Sequence, residues 1–368
     1  MTRPATPPAT PPAAAAPPAA PCSAPPATSA APASALPRPF ALFLRAAGLL
    51  GAGETPAAQA LRGGISSDIW HVSTRAGQIV IKQPLAELAV GNWHAPLERS
   101  RYEAQWLRTV DALQPGVCPK VLACDPGQHL IAMEYLDPAQ HPVWKAQLLA
   151  GQVDVRLAAL VGERLGRIHA RSAARPELAA DFDTEPLFIA LRIHPYLETI
   201  AQRHPDLAPA VRQLAHTTLG QCRALVHGDV SPKNILAGPE GPIFLDAECA
   251  WWGDPAFDLA FCLNHLALKR LLLPGQRAPL AAAFAALLHA YRQQIDWEPP
   301  SALLDRAGRL LPALMLARVD GRSPVEYLAP AQRAVVRDFA RARVRAGLTD
   351  PPPCDPLALL AAWKEHLP

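Results

Sequence analysis

The order of polar residues in one stretch, "LVHGDVSPKNILAGPEGPIFLDAECAWWGDPAFDLAF" from Leu225 to Phe261, constrains this chain more than any other feature. Six carboxylates fall in it, with one Asn, one His and two adjacent Trp. Such groups are costly to bury unless they are paired or hold something. Asp229 sits in His-Gly-Asp, Asn234 follows, and Asp246 closes the next apolar run. Glu248 lies two residues beyond, so in extended backbone it shares a face with Asp246. An acid, an amide oxygen and a carboxylate pair on adjoining loops suit a hard cation with oxygen ligands. Mg2+ fits best, because it keeps waters and phosphate oxygens in its shell.

Phosphoryl transfer needs that arrangement. One carboxylate, here Asp229, takes the proton of an acceptor hydroxyl, while Asn234 and Asp246, with Glu248, hold Mg2+ on the triphosphate of ATP. The order Asp, four residues, Asn, hairpin, Asp is similar to the kinase catalytic loop and the metal-binding Asp after it. The remaining parts then belong upstream. Lys82 ends the strand-like "IVIK", where it would neutralise phosphates, and Glu103 on the following helix would pair with it. Glu98 competes for that pairing, but Glu103 shares a helix edge with Leu107 and Val110. "GGISS", with Gly63, Gly64, Ser66 and Ser67, precedes the first strand, and its backbone N–H groups would cradle phosphates. It is not a P-loop, since no Gly-Lys-Ser/Thr follows. "MEYL", with Glu134 and Tyr135, reads as a linker whose backbone would read adenine.

Residues 1–38 are nearly all Ala, Pro, Ser and Thr, which predicts a disordered tail. "RPFALFLRAAGLL" then predicts an amphipathic helix, followed by strands over 69–74 and 78–83, a helix within 96–113 and a hairpin within 120–136. Helical patterns dominate afterwards, at about 254–271, 278–294, 302–318, 329–346 and 355–366. The outline is an α+β fold: a small antiparallel sheet lobe over 39–136 that takes the nucleotide, then a mainly helical lobe over 137–368 that takes metal and acceptor.

The run "HGD…N…D…GDPAFDLA" resembles the aminoglycoside phosphotransferase and choline kinase superfamily over about residues 55–345, and the resemblance implies a bilobal, protein-kinase-like fold. It implies Asp229 as base, Asn234 and Asp246 as Mg2+ ligands, Lys82 paired with Glu103, and Asp258 as a brace for the loop. A closer likeness is to the 5-methylthioribose kinase family, carried by "VGNWHAPLERSRYEAQWL", "DAECAWWGDPAFD" and "LARVDGRSPVEYL". Asn234 departs from that family's loop, and its C-terminal Arg pair is spread here over Arg318 and Arg322. Candidate acceptor ligands are Arg192, Trp251, Trp252, Arg318 and Arg322, with one of the two Trp expected in the core and His227 expected to be structural.

A formal charge of +3 without a dense Lys/Arg patch argues against nucleic acid as a partner. Seven scattered Cys without a CxxC pair predict reduced thiols in a cytoplasm rather than disulfides or zinc. No apolar run reaches the roughly 20 residues of a membrane span. The expected partner is therefore a small hydroxyl-bearing acceptor; the sequence leaves the oligomeric state open, a homodimer included. The alternatives are an aminoglycoside, choline or homoserine type kinase, and a nucleotide-binding pseudokinase or scaffold. A protein acceptor is disfavoured, because the short path from Asp246 to "GDPAFD" leaves no room for an activation segment.

Overall fold

A computed structural model describes residues 35–61, 66–88, 93–347 and 354–368. Most of the predicted tail, and Gly63 and Gly64, lie outside the described residues. The chain runs through α1 (Arg38–Ala46), β1 (Ala57–Ala60), β2 (Ser67–Thr74), β3 (Gly77–Pro84), the two-residue strands β4 (Glu87–Leu88) and β5 (Trp93–His94), α2 (Arg99–Leu113), β6 (Val121–Asp125) and β7 (Leu130–Glu134). These build an antiparallel five-stranded sheet in the order β1-β2-β3-β7-β6.

The two faces of that sheet follow from period-two alternation. Ile79 and Ile81 of β3 point to one face with Val72, Leu130 and Ala132, where Phe40, Phe43 and Leu44 of α1 cover them. Val80 faces the other way, toward Ile131, Met133 and Ala104 of α2. Lys82, two residues on, falls on the same side as Val80, so the register aims a buried cation at α2. The buried stripe of α2 carries Arg99, Glu103, Trp106, Leu107 and Val110, so two charged side chains share its inward face.

The larger lobe is helical: α3 (Trp144–Leu149), α4 (Val155–Ala173), α5 (Glu185–Phe188), a π-helical segment (Ile189–Glu198) containing Pro195, α6 (Thr199–Arg203) and α7 (Ala208–Leu219). Short strands follow, β8 (Ala224–Val226), β9 (Ile235–Gly238), β10 (Gly241–Phe244) and β11 (Trp251–Gly253), then α8 (Pro255–Leu272), α9 (Arg277–Arg292), α10 (Pro300–Asp320), α11 (Pro330–Ala346) and α12 (Pro356–His366). The predicted elements are all present; β1, β4, β5, β11 and the π-helical segment are additional. β9 pairs with β10 and β11 with β8, so two small hairpin-like pairs frame the loops that carry Asp229 and Asp246. Nearly every residue of α8 is buried, and it packs against α9 and α10. Among the described residues no helix is long and apolar enough to cross a membrane.

The tightest crossing is that of α4 on α9. A Cβ on Gly162 would collide with the Leu287 carbonyl, so only Gly allows this approach. Gly162→Ala is expected to lower stability by about 3 kcal/mol, read as a shift of the urea midpoint. An unchanged midpoint would mean that α4 and α9 do not pack this closely.

Candidate active site

Three segments meet at the Lys82 ammonium. It donates to both carboxylate oxygens of Glu103, at 2.9 and 2.7 Å, and to Asp246 Oδ1 at 2.5 Å. Burial alone would depress this amine, but Asp246, Glu103 and Glu248 reverse that and hold it well above its ordinary pKa. Burial pushes Glu103 up to about 7 against the opposing charge of Lys82, while Lys82 and then Lys233 overcome burial at Asp246 and keep it ionised. The Asp246 backbone is left-handed, with φ of 66°, which short polar side chains tolerate best. The Lys82–Glu103 pairing expected from the sequence is present, and Asp246 joins it.

The loop after β8 is held from beneath. Asp258, in the first turn of α8, accepts from the N–H groups of His227 and Gly228 at 2.7 and 2.8 Å. Gly228 has φ of 78°, and a Cβ there would come within 2.6 Å of the Cys249 carbonyl, so the turn requires glycine. His227 accepts from the Asp229 N–H through Nδ1 at 3.1 Å and meets the Leu245 carbonyl through Nε2 at 3.0 Å, which fixes the Nε2-protonated tautomer. Burial lowers its pKa further and keeps it neutral. His227 is thus a brace, as expected from the sequence.

Asp229 is 6 % exposed, and its two oxygens have different surroundings. Oδ2 takes Lys233 Nζ at 2.9 Å, Asn234 Nδ2 at 2.9 Å and an Arg192 terminal nitrogen at 3.0 Å. Among the described residues no donor reaches Oδ1. Burial would raise this carboxyl, but Lys233 and Arg192 outweigh it and hold its pKa below the usual range. The Lys233 ammonium also lies 3.1 Å from Asn234 Oδ1 and 3.7 Å from Asp246 Oδ2. The three oxygens that the sequence assigns to a hard cation and a base therefore already surround one positive charge. That is the donor chemistry a divalent ion would use.

Glu248 makes a contact that its place beside Asp246 did not announce. Its Oε2 accepts from Arg99 Nε at 3.0 Å, and Arg99 is fully buried. The same guanidinium donates to the carbonyls of Ala95, Pro96, Ser66 and Leu85 at 2.6–3.0 Å. Arg99 so ties the strand entry at Ser66 and the end of β3 to the segment after Asp246. Ser67 is buried beside it, and its hydroxyl has no partner among the described residues. Arg99 and Lys233 escaped the sequence reading. The signals were Arg99 one turn before Glu103 on the apolar stripe, and Lys233 four residues after Asp229.

The remaining candidates separate. Arg192 is spent on Asp229 and on the Gly228 and Leu191 carbonyls, which corrects its expected role as an acceptor ligand. Trp251 is 1 % exposed and stacks on Phe188 at 4.4 Å, so it is a core residue and not an acceptor contact; Trp252 is half-buried. Arg318 is buried, bonded to Tyr196 and Ser323, whereas Arg322 is exposed with its N–H on the Pro195 carbonyl. Glu134 ends β7 exposed, and Tyr135 stacks on His71 at 3.9 Å.

A model of the APH family, described as the phosphotransferase enzyme family, matches residues 57–293. Methylthioribose kinase of Pectobacterium atrosepticum is 29 % identical over 249 residues, 58 % of this chain and 60 % of that protein. Methylthioribose kinase of Yersinia pseudotuberculosis is 30 % identical over the same shares. The chain thus spans 60 % of the length of these curated relatives. Among solved structures, amicoumacin kinase hAmiN in complex with AMP-PNP, Ca2+ and Ami superposes with a TM-score of 0.51 at 15 % identity, covering 84 % of this chain and 94 % of that one. At that identity the likeness concerns the fold, and it bears out the two-lobed, protein-kinase-like architecture.

Removing Arg99 would strand the Glu248 carboxylate, 10 % exposed at its side chain, and free four carbonyls. Arg99→Leu is expected to cost about 3–5 kcal/mol in urea unfolding. A loss below about 1 kcal/mol would show that the knot carries no structural load.

Proposed function

This chain belongs to the phosphotransferase enzyme family, and from that premise we propose that it transfers the γ-phosphoryl group of ATP to a hydroxyl of a small metabolite. The observation that carries the reading is the asymmetry of Asp229. Three donors fix Oδ2 and keep the carboxylate ionised, while Oδ1 is left to accept a proton. A base held this way needs no rearrangement to take the acceptor's hydroxyl proton.

The other residues divide the remaining work. Lys82, oriented by Glu103, meets the α- and β-phosphates, and the backbone around Ser66 and Ser67 cradles them. The unpartnered Ser67 hydroxyl, buried at the strand entry, supports a ligand there. Asp246 and Asn234, with the Glu248 oxygen that Arg99 does not claim, would hold Mg2+, which neutralises charge on the triphosphate when bound. Arg192 and Lys233 hold the base; Glu134 and Tyr135 mark the adenine side. On this reading residues 39–136 form the nucleotide lobe and 137–368 the acceptor lobe. Free cysteines throughout the described residues support a cytoplasmic setting. The names of the curated relatives make methylthioribose the reference acceptor to test.

Coupled ADP release with Mg2+ and ATP, against methylthioribose, other pentoses and pentose acids, choline, homoserine and aminoglycosides, tests the class. Asp229→Asn should cut turnover by about 10³-fold or more with ATP still bound. A wild-type protein that does not bind Mg2+ and ATP would overturn the reading. Lys233→Met removes a charge that depresses the Asp229 pKa, so the acid limb of the rate profile should move to higher pH. An unmoved limb would remove Asp229 from the role of base.

A further inference from the structure

A second set of charged side chains begins where the transfer residues end. The Arg192 guanidinium lies over the rings of Tyr196 and Phe261, at 5.8 and 5.7 Å. Tyr196 then meets Arg318, whose Nη1 donates to the phenol oxygen at 3.1 Å and to the Ser323 carbonyl at 2.6 Å. Phe261 packs on His265 at 5.6 Å, and Lys269 follows one turn later on the same stripe of α8. The Lys269 ammonium lies 5.0 Å from the centre of the Tyr327 ring.

These groups are buried and short of negative charge. His265, Lys269 and Arg318 are 6, 1 and 9 % exposed. Among the described residues no carboxylate lies within ion-pair distance of Lys269 or Arg318, and Glu326 is taken by Lys145. His265 Nε2, Arg318 Nε and the Tyr327 hydroxyl are buried without hydrogen-bond partners among the described residues. Burial, then Lys145 and Arg318, pull Lys269 down to about 7, and His265 is driven well below its ordinary value. A guanidinium kept in a lobe interior without an anion is a standing cost to stability, and Lys269, which burial leaves only partly protonated, would gain its full charge beside an anion. The transfer residues show no such deficit, because Lys82, Lys233, Arg192 and Arg99 each meet a carboxylate.

We propose that Arg318, Lys269, His265 and Tyr327 bind an acidic group of the acceptor, a carboxylate or a phosphate, so that the substrate is a hydroxylated acid. The inference rests on the reading of the chain as a kinase and names the substrate class of that same site. Cations such as choline or aminoglycosides would meet like charge here, and a neutral sugar would leave the Arg318 guanidinium without an anion. Arg318 is already fixed by Tyr196 and Ser323, so little order is lost when an anion arrives. His265 lies seven residues along α8 from Asp258, which holds the catalytic loop, or roughly 10 Å at about 1.5 Å per residue. An acceptor that carries its acidic group several bonds from the reacting hydroxyl, such as a pentose acid, is the probe this spacing suggests.

Calorimetry on protein saturated with Mg2+ and AMP-PNP tests this, with ribonate and ribitol 5-phosphate as probes and ribose and methylthioribose as neutral controls. One acid is expected to bind at least about 30-fold more tightly than ribose, and which one does so separates carboxylate from phosphate. Lys269→Met should lose that preference with AMP-PNP affinity unchanged and with no fall in melting temperature, since it removes a buried amine that no carboxylate among the described residues pairs; Arg318→Gln should weaken the acid likewise. Neutral sugars binding as well as the acids, neither acid binding, or a preference unchanged in both variants overturns the inference and leaves the kinase reading standing. Failure of AMP-PNP itself to bind overturns the kinase reading and this inference with it.

Discussion

The Lys82 ammonium is the point on which the two lobes agree. It comes from the middle of a sheet, while Glu103 comes from a helix on one face of that sheet and Asp246 from a loop of the other lobe. A buried pair of this kind adds little stability by itself, because desolvation consumes most of the attraction. Its contribution is specificity. A shift of β3 by one residue would turn Lys82 to the α1 side and leave Glu103 without a cation. The cost of that error fixes the register, and the register fixes where Lys82 can meet phosphates.

Asp229 and Asp246 lie on loops and Asn234 ends the short 3₁₀ turn Pro232–Asn234, and rigid elements hold those segments in place. Arg99 and Glu103 stand one turn apart on α2, and Asp258 stands in the first turn of α8. From there Asp258 holds two successive backbone N–H groups of the loop that carries Asp229. Even Asp229 is positioned by donors more than by its own rotamer freedom. A site built this way loses little order when substrates bind, which is how positioning becomes rate.

Lys82, Glu103, Asp229, Asn234, Asp246 and Asp258 were legible in the sequence. The chemistry demands those residue types in that order, and the strand and helix periods place them on the right faces. The residues that escaped share a different property: their partners are remote in the chain. Arg99 meets Glu248 across 149 positions, and a lone Arg on a helix reads as solvated until that partner is seen. β1, "AAQA", lacks the β-branched residues that announce a strand and exists because β2 offers it a ladder. Trp251 and Arg192 stand out in the sequence as candidate acceptor ligands, but Phe188 and Asp229 reach them through the fold. His265 and Lys269 lie in a helix whose apolar content reads as core, and their charge becomes notable only when α8, α10 and the segment after α10 converge.

On the proposed function, the two charge clusters divide the work of the site between them. Among the described residues around Asp229 and Lys82 each cation meets a carboxylate, so on that proposal this half of the site is complete without a particular acceptor and serves phosphate and proton. Around Lys269 and Arg318 the protein leaves charge unmatched at its own expense. Energy stored there is released only when an anion arrives, and a neutral molecule cannot release it. Binding energy from a remote group of the substrate is what holds the reacting hydroxyl against the base. An acceptor lacking the acid would then bind loosely and also react slowly, because nothing would keep its hydroxyl at Oδ1 of Asp229.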